Sequence, residues 1–85
     1  MDNHDLQVEL LMYFQWGKPL RRAYEVLKDK GYDRQDIIDM KNQLLDQLPE
    51  PFLYVIPGQK TSGTMYRITE AGRKYLAWLQ ERMEA

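Results

Sequence analysis

Three groups of side chains in this sequence are of types that do chemistry: one histidine, His4; a row of carboxylates, Asp36, Asp39 and Asp46; and a cluster of cations, Lys18, Arg21 and Arg22. Acid–base or metal chemistry needs several such groups converging in a cavity. His4 stands alone in a terminal stretch and reads as an exposed polar residue. The aspartates share one side of a helical repeat, the usual pattern of a hydrated face. There is no cysteine, so a disulfide framework and a thiolate zinc site are both excluded. Gly58 and Gly63 bracket a turn and do not lead from a strand into a helix, as a phosphate-binding loop would. The sequence points away from an enzyme, and neither a cofactor nor a metal is expected.

The cations carry more information through their distribution than through their sum. Formal net charge is −1, against a nucleic-acid partner. Yet residues 18–32 hold five Lys/Arg against two Asp/Glu, and residues 33–48 hold two against four. The first cluster is either a phosphate-binding patch or a hydrated helix start. With 85 residues, 44% hydrophobic and 29% charged, the chain reads as one globular domain over 1–85. No apolar run approaches the roughly 18 to 20 residues a membrane helix needs. The opening Met-Asp-Asn-His-Asp is acidic where a secretory leader is basic. A cytoplasmic chain without membrane contact is the expectation.

The elements that would position these groups follow from capping and periodicity. Asp2 or Asn3 can cap a first helix running to about Trp16, with Gly17 as its stop. Apolar residues surround much of this helix, which suggests that one face packs on the core and another meets a partner. Lys18-Pro19 opens a second helix, proline suiting the first helical position, and Gly31 closes it. Asp33, helped by Asp36, caps a third helix from Arg34 to about Leu48. Its expected buried face is Ile37, Met40, Leu44, Leu45 and Leu48, with Gln35, Asp39, Asn42, Gln43 and Asp46 opposite. Lys41 falls near the apolar face and must snorkel outward. Phe52–Ile56 and Thr64–Ile68 form a hairpin with a polar tip. Thr69 then caps a helix from about Glu70 to Met83, on which Gly72 permits close packing. No internal repeat, linker or low-complexity segment interrupts this order.

The run Tyr66-Arg67-Ile68-Thr69-Glu70-Ala71-Gly72-Arg73-Lys74-Tyr75-Leu76 resembles the last strand and final helix of winged-helix regulators of the PadR and MarR kind. The resemblance implies an α+β, mostly α fold: a winged helix-turn-helix of αααββα order with a two-stranded antiparallel wing. It also implies a double-stranded DNA partner, with the third helix in the major groove and the wing on phosphate. Carried over, Gln35, Asn42 and Gln43 would read bases, as Asn and Gln do with adenine. Lys18, Arg21, Arg22 and Arg34 would hold phosphates, joined by Lys60, Thr61 and Ser62 at the wing tip. In such regulators the first and last helices often form a two-fold dimer, which here would use Leu10, Tyr13, Trp16 and Trp78. The acids on the third helix depart from that pattern, since carboxylates repel phosphate. They keep a second reading open, in which the same fold serves as a protein-interaction module.

Overall fold

The computed structural model describes residues 3–57 and 64–84. Its elements are α1 (Asn3–Tyr13), β1 (Lys18–Pro19), α2 (Leu20–Lys28), α3 (Arg34–Leu45), β2 (Leu53–Ile56), β3 (Met65–Ile68) and α4 (Glu70–Glu84). The fold is α+β: helices around a small antiparallel sheet of strand order β1-β3-β2. The order expected from the sequence lacked β1. Lys18 pairs with Tyr66 and Pro19 with Met65, so the dipeptide that reads as a helix start is an edge strand. Proline is tolerated there because an edge strand need not donate on its outer side. Pro19 is extended, at φ −76° and ψ 145°, and α2 begins only after it.

Local chemistry sets the helix ends. Asp33 and Asp36 form a reciprocal capping box: the Asp33 carboxylate accepts from the Asp36 amide at 2.8 Å, and the Asp36 carboxylate from the Asp33 amide at 3.4 Å. Gly31 takes a left-handed φ of 93°, which ends α2 at little steric cost. At α4, the Thr69 hydroxyl accepts from the Gly72 amide at 3.0 Å and donates to the Pro51 carbonyl at 2.7 Å. One side chain thus caps the helix and ties it to the segment entering β2. α3 stops at Leu45, short of the expected Leu48, and Leu48 is 81% exposed. The turn through Asp46 carries it off the buried face.

α1 lies at the centre, packed against α2, α3 and α4. Leu6, Val8, Leu10, Leu11 and Phe14 are all buried from this segment. Three neighbouring helices thus cover most of the apolar circumference of α1, and Met12 stays half-exposed. Each fully buried large side chain contributes about 1.5–3 kcal/mol. Phe14 meets Tyr13 and Tyr66 edge-on, with ring centroids at 5.0 and 5.8 Å. Its carbonyl accepts from the Ile68 amide at 2.8 Å, tying the end of α1 to β3. Ile37, Met40 and Leu44 bury the inner face of α3 as the periodicity requires. Lys41 runs its stem past the Tyr66 ring, with Nζ 5.6 Å from the centroid.

Candidate functional site

The first group of candidate residues sits where β1 turns into α2. Lys18 begins a two-residue strand and Arg21 and Arg22 lie in the first turn of the helix that follows, so all three are exposed within five positions of one another. They line a groove of about 370 Å³ whose other walls are Tyr13, Pro19, Val26 and Met65. Lys18 Nζ stands 5.0 Å from the Tyr13 ring centroid, a cation–π contact. The Tyr13 hydroxyl donates to the Pro19 carbonyl at 3.2 Å, which fixes the ring as a wall. Burial pushes the Tyr13 phenol above its ordinary value; Arg22 opposes this and Glu25 adds to it. Among the described residues the ion pairs are Lys30–Glu9 and the exposed Lys74–Glu70, so none of the three cations has a carboxylate partner.

The second group lies on α3. Gln35, Asp36, Asp39, Asn42, Gln43 and Asp46 are all exposed, opposite the buried face. Two of the three expected base-reading side chains are already engaged: Gln35 Nε2 donates to Asp39 Oδ1 at 2.9 Å, and Lys41 Nζ donates to Asn42 Oδ1 at 2.7 Å. Gln43 makes no hydrogen bond among the described residues, and it lines a shallow depression with Asn42, Asp46, Gln47 and Leu48. Arg34 does not join Lys18, Arg21 and Arg22. Its guanidinium lies 4.9 Å from the Tyr24 ring centroid, in a different groove bounded by Lys28, Tyr32 and Asp33. Lys60, Thr61 and Ser62 lie outside the described residues.

The candidate dimer residues separate. Leu10 has no exposed surface, being fully buried in the chain's own core, and so cannot contribute to an interface. Tyr13 is half-buried at the groove. Trp16 and Trp78 are 64% and 48% exposed, and Met12 on α1 is 46% exposed. Trp78 extends a stack that begins with Phe52 on Tyr75, at 4.6 Å, and continues from Tyr75 to Trp78 at 5.8 Å. Arginines lie over both indoles: Arg73 at 6.0 Å from Trp16 and Arg82 at 4.7 Å from Trp78. Sequence reasoning missed Leu48 and Val26 as surface residues. Pro49 disfavours helical backbone at Leu48 itself, a signal that α3 ends before that residue and not at it.

Among the described residues no group of three or more His, Cys, Asp or Glu could hold a metal ion. No helix among them is long and apolar enough to cross a membrane. Compared with protein-family models, curated proteins and solved structures, the chain has no match.

Proposed function

We propose that the chain is a small winged-helix DNA-binding regulator of the cytoplasm, acting as a homodimer. The observation that carries this reading is the set of three unpaired cations, Lys18, Arg21 and Arg22, at the start of the helix that precedes an exposed α3. Supporting it is the order α2, turn, α3, hairpin, α4, in which an outward-facing helix is followed by a two-stranded ribbon. Lys18, Arg21 and Arg22 would neutralise phosphates and release counterions, the main source of sequence-independent affinity. Gln43 is the reader left free for a base edge, while Asp39 would suit a cytosine amino group. Pairing two copies through Trp16, Met12 and Trp78 would double the phosphate contacts, which a single acidic α3 face weakens.

The test is affinity for mixed duplex fragments as a function of salt. With about three phosphates neutralised per subunit, log affinity should fall with log salt with a slope of roughly −2 to −3 per subunit. No binding at low salt would remove the reading. For the dimer, Trp16→Ala with Trp78→Ala should sediment as a smaller species than the wild type.

A second reading is favoured by one specific feature: α3 exposes Asp36 and Asp39, and the turn after it exposes Asp46 and Leu48, side chains better suited to a protein than to phosphate. The two readings predict opposite signs for Asp39→Lys. It should raise non-specific DNA affinity under the first and abolish partner capture under the second.

A further inference from the structure

Two faces of this chain are complementary to each other and unmatched by their own surroundings. One is the groove beside α2, with Lys18, Arg21 and Arg22 set against the apolar Val26 and Met65. Val26 is half-exposed at 50%. The other is the depression just past the end of α3, where Asp46 accompanies Leu48, at 81% the most exposed large apolar side chain among the described residues, with the exposed Asp39 about two helical turns back on α3. The two depressions share no lining residue, and among the described residues no ion pair joins them. Glu25 borders the arginines of the groove, but no ion pair among the described residues engages Lys18, Arg21, Arg22, Asp39 or Asp46.

We propose that the acidic end of α3 of one copy docks in the basic groove of a second copy, head to tail. Leu48 is the apolar anchor and Val26 and Met65 are its seat. Exposed alone, Leu48 keeps its side chain in water; seated in the groove it removes apolar area on both sides. The flanking charges orient the contact and speed encounter, as opposite patches do at interfaces. Because the two faces differ, the contact is heterologous. A docked pair still presents one free groove and one free α3 end, so the assembly grows into a ring or a filament instead of closing as a two-fold dimer. The same faces would meet DNA under the proposed function, so assembly and duplex binding compete. The inference itself rests only on the charge and shape of the free chain.

The experiment is sedimentation of nuclease-treated protein over a range of concentrations, in about 50 mM and about 500 mM salt. Growth with concentration is expected at the lower salt and its loss at the higher. Arg21→Glu with Arg22→Glu reverses the groove; Asp39→Lys with Asp46→Lys reverses the α3 end. Each variant alone should weaken association at least about tenfold. Mixed in equal amounts they should again form larger species, because each supplies what the other lacks. Leu48→Ser should weaken assembly without altering the groove. A wild type of constant size at low salt would overturn the proposal. So would a reversed variant that grows like the wild type, or a mixture no larger than its components. A symmetric pair through Trp16 and Trp78 would instead survive both reversals and high salt. A chain that assembles yet ignores duplex DNA would leave this inference standing and remove the DNA reading.

Discussion

The joint between the hairpin and α4 is built from contacts that leave no space, whereas the α2–α3 surface carries Lys18, Arg21, Arg22 and Asp46, none of them in an ion pair among the described residues. At the joint, a Cβ added to Gly72 would stand 2.7 Å from Ile68 Cγ1 and closer still to the Phe52 carbonyl oxygen. Thr69 satisfies its backbone and side-chain groups there, its amide donating to the Phe52 carbonyl at 3.0 Å. On the α2–α3 surface, Lys18, Arg21, Arg22 and Asp46 end in solvent. Stability is concentrated in the first region, and capacity for recognition in the second. Changes at the joint should therefore move the unfolding transition and spare binding, and changes on the surface should do the reverse.

The largest expected effect lies at the joint. Gly72→Ala must displace backbone, because the nearest obstacle is a carbonyl and not the end of a flexible side chain. A loss of about 3 kcal/mol is expected, read as a lower denaturant midpoint. A neutral result would mean that α4 can slide on the hairpin, and the contrast between the two regions would dissolve.

Next comes the surface. Arg21→Ala with Arg22→Ala should leave the midpoint within about 0.5 kcal/mol, since both side chains are exposed and neither has an ion pair among the described residues. Under the DNA reading the same change lowers duplex affinity about tenfold, or about 1.4 kcal/mol. It should also flatten the salt slope by about two. A smaller effect belongs to the joint again: Thr69→Ala removes the acceptor for the Gly72 amide and should cost about 1 kcal/mol.

What the sequence disclosed follows the same division. The Asp33–Asp36 capping box, the Thr69 cap, the close approach at Gly72 and the hairpin strands were legible because each depends on residues near one another in the chain. β1 was not. Two residues cannot announce a strand, and the fixed φ of Pro19 fits a helix start as well as an edge pairing with Met65. Leu10 was misread because the apolar circumference of α1 fits two causes, a partner or a central position among three helices. Only the tertiary arrangement separates them. The unpaired state of Lys18, Arg21 and Arg22 was likewise invisible, since it depends on which carboxylates the fold brings near. The charge imbalance of residues 18–32 showed only that such a cluster existed.

The smallest effect is also the one that probes the border between the two regions, because Tyr13 belongs to both: it touches the core through Phe14 and walls the groove. Burial raises the Tyr13 and Tyr66 phenols above the ordinary value of 10.0, Tyr66 with a further contribution from Tyr24. Above about pH 10 the unfolded chain gives up these protons while the folded chain still holds them. The folded state then binds more protons, so stability is full below pH 10 and declines as pH rises through the raised values. Denaturant midpoints taken on either side of pH 10 should show that decline, and Tyr66→Phe should make it shallower. Arg22 favours the Tyr13 phenolate, so Arg22→Ala should push the Tyr13 titration higher, read from near-ultraviolet absorbance. An unmoved Tyr13 would mean that the guanidinium does not act on the ring across the groove. The cations would then be electrically separate from the core they stand on.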